Sequence, residues 1–299
     1  FDAVENIDEI IEESDGIMVA RGDLGIEVPY YDVPTIQKML IKKANAVGIP
    51  VITATQMLLS MTQNERATRA EISDVANAVL DGTDVVMLSE ESAVGEDPIN
   101  VVDTMSNIIA KTECIYNYEK QYKMPYLDEF DVIQATVTKL ADDLSAKAIL
   151  SLTSSGRSAI KMSRYRPKTP IYAFTHEEEV LNSLTAIWGI EAIGTIKEDQ
   201  ASKMFQEMLT ILDKKGLLDK NQSYVATVGY PVGLQGSTNT IKILTPSEIN
   251  YYLNYTNNNS EWCFKLIVAY FKQSCIIIIK NNTTKDILFL IQKKLKKIQ

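Results

Sequence analysis

Between residues 6 and 110, helical and strand-like segments alternate with a period of about 32 residues, and this alternation constrains the fold more than any other feature. Three short apolar runs end the successive repeats, at residues 15–23, 50–55 and 84–90. The runs are continuous rather than alternating in polarity, as is typical of parallel strands that are covered on both faces. The pattern predicts a parallel α/β sheet built from about three βα units.

Two of the helices in this region carry boundary signals. Pro34 opens one helix, and Gly48 stands where a glycine commonly follows the last helical turn. Thr68 and Glu71 have the spacing of a capping box at the start of the next helix. Both helices are therefore predicted with defined ends.

Polar residues stand at the end of each apolar run. They are Arg21, Gly22 and Asp23 in the first run, Thr53, Thr55 and Gln56 in the second, and Ser89, Glu90 and Glu91 in the third. The carboxyl ends of parallel strands share one edge of a sheet, where α/β proteins bind ligands and (β/α)8 barrels carry out catalysis. The sequence therefore predicts a functional edge here, with ordinary polar βα loops as the alternative.

A second α/β unit follows a tyrosine-rich passage at residues 116–130, which is interpreted as a linker. A helix begins this unit near residue 131, and strands are predicted at residues 148–152, 170–174, 224–228 and 240–244. The predicted domains are residues 1–115, the linker, residues 131–244 and a tail at residues 245–299.

Two polar loops interrupt the second unit. Between a predicted strand and a predicted helix lie Thr153, Ser154, Ser155, Gly156, Arg157 and Ser158. Their amides and hydroxyls could hold a phosphate at the helix N-terminus. Residues 229–239 form a glycine-rich loop between two strands. Either loop could be only a turn, because a single strand-loop-helix with Ser and Gly is a weak signal.

Charge and composition exclude several classes of function. The net charge is -9 and the first 240 residues contain no Lys/Arg-rich run, so no nucleic-acid partner is predicted. The three cysteines are far apart and His176 is the only histidine. Neither a disulfide framework nor a Cys or His zinc site is indicated. Catalysis would have to use carboxylates, hydroxyls, backbone amides and a metal with oxygen ligands.

The tail differs in character from the rest of the chain. Asn, Ile, Lys, Tyr and Phe dominate it, and it contains neither Gly nor Arg. Its apolar run at residues 263–279 is interrupted by Lys265 and Lys272 and is shorter than the roughly 20 residues of a membrane span. The tail is predicted to be an extension unrelated to the two preceding units, and no membrane partner is predicted.

Four long segments of the first unit, read together, match a single family. They are residues 15–29, 52–57, 68–82 and 86–93. In order and spacing these segments closely resemble pyruvate kinase, and the resemblance extends over about residues 1–244. It implies a partial TIM (β/α)8 barrel of about three βα units followed by a three-layer α/β C-terminal regulatory domain.

The resemblance implies a phosphotransferase that moves the phosphoryl group of phosphoenolpyruvate to ADP and then protonates the resulting enolate to pyruvate. The products are ATP and pyruvate, and the cofactors are Mg²⁺ (or Mn²⁺) and K⁺. Asp23 would bind Mg²⁺, and the amides of Gly22 and Asp23 would hold the substrate carboxylate. Thr55 would help a water chain to deliver the proton, Ser89 would support that chain, and Arg21 would brace the loop.

In the second domain, the resemblance assigns residues 153–158 to the phosphate of a sugar-phosphate effector and residues 229–239 to a loop that closes on it. The stretch around Asp199 lacks the Trp and Arg that grip a second effector phosphate. The complete protein is expected to be a cytoplasmic homotetramer, with a plastid location as the alternative.

The resemblance also implies that essential parts lie upstream of Phe1. These are the catalytic lysine, a second Mg²⁺ carboxylate, the K⁺ site and the domain that closes over the nucleotide. The chain is therefore interpreted as a C-terminal piece of a pyruvate kinase that is inactive alone. The alternative is a non-catalytic sugar-phosphate-binding or interaction module derived from such an enzyme.

Overall fold

The computed structural model describes residues 2–118, 125–198, 200–229 and 238–254. Contacts divide the chain into two units, Phe1–Ile249 and Asn250–Gln299, and the second is described only to residue 254. No helix in these ranges is long and apolar enough to cross a membrane. The apolar run at 263–279, Asp199 and residues 230–237 of the predicted glycine-rich loop lie outside the described residues.

The first sheet contains three parallel strands in the order β1-β2-β3. Their bounds are β1 Ile17–Ala20, β2 Val51–Ala54 and β3 Val85–Met87. Ile17 pairs with Val51, and Ile52 pairs with Val85. The parallel arrangement confirms the prediction, and the sheet is an open arc, as expected for part of a barrel.

Helices connect and cover these strands. Their bounds are α1 Asp2–Glu5, α2 Ile7–Glu12, α3 Arg21–Glu27, α4 Val33–Val47, α5 Arg69–Asp81, α6 Glu90–Ala93 and α7 Pro98–Glu113, with a 3-10 helix at Leu59–Thr62. Both predicted boundary signals are confirmed. Gly48 ends α4 with a φ of 86°, and Thr68 and Glu71 form a complete capping box before α5.

Two apolar clusters fix these helices to the strands. Ile11 of α2 and Ile41 of α4 pack with Val19 and Val51. Val75 of α5 and Val101 and Met105 of α7 pack with Met57 and Leu58, which follow β2. The loop that carries the polar residues after β2 is therefore anchored by buried side chains immediately beside them.

The second sheet has five strands in the order β6-β5-β4-β7-β8. Their bounds are β4 Ile149–Leu152, β5 Ile171–Thr175, β6 Ile190–Thr195, β7 Tyr224–Gly229 and β8 Thr238–Leu244. β8 runs antiparallel to β7, and the other pairs are parallel. The surrounding helices are α8 Glu129–Asp143, α9 Arg157–Arg164, α10 Glu178–Ser183 and α11 Ala201–Lys214, with a 3-10 helix at Leu184–Ala186. The helix α12 Pro246–Asn254 follows β8 along the chain.

Both faces of the second sheet are buried, which confirms the three-layer prediction. Ile149 and Ile171 pack in one cluster with Val137 of α8 and Met162 of α9. The neighbouring strand residues Leu150, Leu152 and Phe174, whose side chains point to the opposite face, are also buried. On the described residues, α11 contacts β6.

The strand β6 was not predicted from the sequence. It is one of the two edge strands of the sheet, with Ile190 and Ile193 buried and Glu191 exposed. Glu191 and Gly194 interrupt its apolar residues, so β6 lacks the continuous apolar run that identified β4, β5 and β7.

Candidate active site

Arg21 fastens the end of β1 to the end of β2. Its Nε donates to the carbonyl oxygen of Ala54 (3.2 Å) and its Nη2 donates to that of Thr55 (2.6 Å). Its Nη1 forms an ion pair with Asp74 Oδ2 of α5 at 2.5 Å, and the Arg21 side chain is largely buried. The Arg21 guanidinium thus links the ends of two adjacent strands.

Gly22 and Thr55 meet at the same edge of the sheet. The backbone N–H of Gly22 donates to Thr55 Oγ1 at 2.9 Å. Because a threonine hydroxyl has one proton and two acceptor sites, this bond orients the hydroxyl and leaves its own proton free to be donated elsewhere. Thr55 is half-buried and has a φ of 71°, and the exposed Gln56 after it has a φ of 54°.

Ser89 lies just beyond the end of β3 and is connected to the loop after β2 through Glu91. Glu91 is almost completely buried, with 1% of its surface exposed. Its Oε2 accepts the N–H of Ser89 (2.8 Å), and its Oε1 accepts the N–H of Leu58 (3.0 Å). One carboxylate therefore joins the backbones that follow two neighbouring strands.

A second carboxylate, Glu71, anchors the same loop from α5. Its oxygens accept the N–H (2.7 Å) and the hydroxyl (2.5 Å) of Ser60 and the N–H and hydroxyl of Thr68 (both 2.8 Å). Burial raises the pKa of Glu71, but these four hydrogen bonds to the ionised form outweigh it, and the net pKa is lowered.

Asp23 is exposed in the first turn of α3, next to Gly22. Mg²⁺ is commonly held by one or two carboxylates together with substrate phosphates and water, so a single exposed carboxylate at this edge fits one position of its coordination shell. Among the residues that the structure describes, no group of three or more His, Cys, Asp or Glu side chains could hold a metal ion. No residue described here is assigned to K⁺.

The predicted phosphate loop lies on the second sheet, between β4 and α9. Gly156 is the residue before α9 and has a φ of 81°, and a Cβ at this position would lie 3.1 Å from Leu184 Cδ2. The left-handed φ therefore favours glycine at this position, and a larger residue would also require the Leu184 side chain to shift slightly. Ser154 and Ser155 are exposed, whereas Thr153 is buried.

The remaining two residues of the phosphate loop are held by neighbouring elements. Ser158 is buried and its hydroxyl forms a 2.8 Å hydrogen bond with that of Thr238, the first residue of β8. Arg157 is exposed, with its guanidinium 3.6 Å from Asp128 Oδ2. Lys161 also binds Asp128, at 2.6 Å, and this hydrogen bond lowers the pKa of the Asp128 carboxyl.

The structure brings some of the predicted site residues together and separates others. Arg21, Gly22 and Thr55 are in direct contact, and Ser89 is linked to the same loop through Glu91. The residues of the phosphate loop lie on the other sheet. Glu91 was predicted at a strand end without a role. The pairing of Asp74 with Arg21 and of Glu71 with Ser60 was not predicted from the sequence.

An open parallel arc with polar strand ends, followed by a five-stranded α/β sheet, defines an α/β-barrel type of protein with an added α/β part. Two family models agree with this division. "Pyruvate kinase, barrel domain" matches residues 1–102, and "Pyruvate kinase, alpha/beta domain" matches residues 131–244. The chain belongs to the pyruvate kinase family.

Individual relatives support this assignment. A pyruvate kinase of Clostridium acetobutylicum is 46% identical over 246 residues, which cover 81% of this chain and 52% of the relative. One from Lactobacillus delbrueckii subsp. bulgaricus is 43% identical over 248 residues, covering 81% of this chain and 42% of the relative. The chain thus spans about half the length of these curated relatives.

A solved structure is similar over the same part of the chain. The crystal structure of a pyruvate kinase from Cryptosporidium parvum matches with a TM-score of 0.74 and 37% sequence identity. The match covers 81% of this chain and 49% of that one. The structural similarity therefore again concerns about half of a longer protein.

Proposed function

We propose that these residues form part of a pyruvate kinase that transfers the phosphoryl group of phosphoenolpyruvate to ADP. The P–O bond to the enol oxygen breaks, a new P–O bond forms to the terminal phosphate of ADP, and the enolate carbon then takes a proton to give pyruvate. Family membership supports this reaction. The observation that carries the proposal for this chain is the contact between Gly22 N–H and Thr55 Oγ1 at the carboxyl edge of the sheet.

In this proposal, the strand-end residues orient the substrate and the proton path. The amides of Gly22 and Asp23 bind the substrate carboxylate. The Gly22 N–H, which donates to Thr55 Oγ1 in the structure, then donates to the carboxylate instead or to both acceptors. The hydroxyl proton of Thr55 is donated toward the water chain that reaches the enolate carbon, with Ser89 supporting that chain. Arg21 keeps the carbonyl groups of Ala54 and Thr55 in place.

Asp23 is the proposed Mg²⁺ ligand of this chain, with Mn²⁺ as a substitute ion. When bound, Mg²⁺ and K⁺ neutralise the negative charge that phosphoryl transfer concentrates between the substrates. The side chain of Asp23 contributes one oxygen ligand and lies beside the amides proposed to bind the substrate. The other metal ligands and the catalytic lysine belong, in this proposal, to the part of a pyruvate kinase that these 299 residues do not include.

The activity is tested on the full-length protein that contains these residues. We expect phosphoenolpyruvate-dependent formation of ATP that requires Mg²⁺ and K⁺. Thr55→Val keeps the shape and β-branching of the side chain but removes the hydroxyl, so kcat should fall by about 100-fold. Thr55→Ser, which keeps the hydroxyl, is the control and should retain most of kcat. A full-length wild-type protein without this activity would overturn the proposal.

The same proposal makes the 299-residue chain inactive by itself, because one carboxylate and no catalytic lysine cannot complete the site. The expected result is no turnover by the purified chain under the conditions that support the full-length enzyme. Measurable turnover would show that the missing groups are supplied from within these residues. The proposed domain division remains 1–115, 116–130, 131–244 and 245–299, and the complete protein is proposed to be a cytoplasmic homotetramer, or a plastid one.

A second candidate function is binding of a sugar phosphate by the second domain without catalysis. The N-terminus of α9 favours it, because Gly156 precedes the helix with a φ of 81° and the exposed Ser154 and Ser155 lie just before its first amides in the chain. Titration with sugar phosphates tests it. Binding should weaken in Ser158→Ala and Arg157→Ala, and binding that both variants leave unchanged would contradict this role.

A further inference from the structure

The turn that follows β2 is held in an unfavourable backbone conformation. Thr55 and Gln56 are consecutive and neither is glycine, yet both have a left-handed φ, of 71° and 54°. For residues with a Cβ, each such conformation is unfavourable, and two in succession persist only where the surroundings hold them. Backbone strain of this kind is concentrated at functional sites, where neighbouring residues hold the strained segment in place.

Two side chains hold the turn, one at each end. At its start, the Arg21 guanidinium binds the carbonyl oxygens of Ala54 and Thr55. At its end, Glu91 Oε1 accepts the N–H of Leu58 at 3.0 Å. We refer to Arg21 and Glu91 as the turn clamp. Of the two, only Arg21 was given a role by its position in the family motif.

Glu91 is an uncommon choice for a buried position. A carboxylate that is 1% exposed has lost almost all its contact with water, and this loss is unfavourable unless hydrogen bonds replace that contact. Both Glu91 oxygens accept backbone amides, from Leu58 and Ser89, which lie on different loops. A carboxylate offers two acceptor oxygens at a fixed spacing, whereas the amide of glutamine offers only one.

We propose that Glu91 is a positioning residue for the reaction proposed above. By holding the N–H groups of Leu58 and Ser89 with one rigid carboxylate, it fixes the strained turn that presents Thr55 and fixes the backbone of Ser89 relative to it. Glu91 itself does not contact the substrate. Its effect on catalysis acts through the two residues proposed for the proton path and therefore rests on the proposed function.

The structural part is tested on the 299-residue chain by amide hydrogen exchange. Glu91→Gln replaces one acceptor oxygen with an NH₂ group, and the amides of Leu58 and Ser89 should then exchange about 10-fold to 100-fold faster. Glu90→Gln removes a neighbouring exposed carboxylate from the same helix and should leave both amides unchanged. Amides of β4, on the other sheet, report global stability and should not change in either variant.

A second variant keeps this test decisive if Glu91→Gln does not fold. Glu91→Asp retains the charge but shortens the side chain by one methylene, so it cannot reach both amides at once. Faster exchange at only one of the two amides, that of Leu58 or that of Ser89, supports the role of Glu91 in the turn clamp. Unchanged exchange at both amides, in whichever variant folds, overturns it.

The catalytic part is tested on the full-length protein. For Glu91→Gln we expect kcat to fall by about 10-fold to 100-fold, with the KM for phosphoenolpyruvate within about twofold of wild type and a larger solvent deuterium isotope effect on kcat. A purely structural fault lowers the folded fraction without enlarging the isotope effect. Equal kinetics for Glu91→Gln and Glu90→Gln overturn the positioning role. An inactive wild-type protein overturns the proposed function. Amide exchange does not depend on activity, so it still tests whether Glu91 holds the amides of Leu58 and Ser89.

Discussion

At the scale of single residues, the strain in the turn after β2 makes a prediction about stability. Gln56 is exposed and has a φ of 54°. A residue with a Cβ in this left-handed conformation costs about 1–2 kcal/mol. Glycine adopts the conformation freely but loses roughly 0.5–1 kcal/mol more backbone entropy on folding. Gln56→Gly should therefore stabilise the 299-residue chain by about 0.5–1 kcal/mol in urea unfolding. Gln56→Ala keeps the Cβ and should give no gain, and an equal gain in both variants would contradict the strain.

Glu71 makes a prediction about pH. Because its pKa is lowered in the folded chain, the ionised carboxylate stabilises the fold at pH values above its unfolded pKa near 4.5, and this contribution is lost as the pH falls through the lower folded pKa. The stability advantage of wild type over Glu71→Gln should be largest near neutral pH and should shrink at acid pH. Urea unfolding at several pH values measures this difference. Glu65→Gln, which removes an exposed loop carboxylate, is the control, and an advantage that does not vary with pH would rule the linkage out.

The residue scale also shows what the sequence could predict about the site. Thr55 and Ser89 were predicted because they follow apolar runs within a recognisable motif. The function of Glu91 as a clamp was not predictable, because its partners are the backbone amides of Leu58 and Ser89. Backbone amides are present at every residue except proline, so their use leaves no mark in the sequence, and only the folded chain shows which ones a carboxylate reaches.

At the scale of elements, the capping box before α5 has a measurable contribution. Thr68 accepts the N–H of Glu71, and Glu71 accepts the N–H of Thr68. Thr68→Ala removes the first of these bonds and should reduce the free energy of unfolding by about 1 kcal/mol. Thr68→Ser keeps a capping hydroxyl and should lose much less. A loss of equal size in both variants would attribute the effect to the threonine methyl group instead.

Elements with local signals were predicted, and those defined by their neighbours were not. The end of α4 at Gly48 and the start of α5 at Thr68 were confirmed because caps are encoded within a few residues. The strand β6 was missed because its identity depends on pairing with β5 through Ile171 and Ile190. Pairing between residues distant in sequence is decided by the tertiary fold, which overrides local preference.

At the scale of the whole molecule, a buried ion pair joins the two sheets. Asp84, which precedes β3, accepts from Nη1 (2.8 Å) and Nη2 (3.0 Å) of Arg166, which follows α9. The same carboxylate accepts the N–H of Val51 at the start of β2 and that of Trp188 before β6. Both side chains of the ion pair are almost fully buried. The ion pair therefore holds the first sheet and the second domain together. If one of its two charges is removed, the other remains buried without contact with water.

Removing one partner of this ion pair leaves the other charge buried and unpaired, whereas removing both partners leaves no buried charge. Asp84→Ala leaves the Arg166 guanidinium buried without its carboxylate, which should reduce the free energy of unfolding by about 3–5 kcal/mol. Arg166→Met alone should have a similar effect, because it leaves the Asp84 carboxylate buried. The double variant removes both charges, so its loss should be smaller than the sum of the two single losses by more than about 1 kcal/mol. Urea unfolding of the four proteins gives this coupling directly. Additive losses would mean that the ion pair does not couple the two sheets and that apolar packing between them provides the attachment.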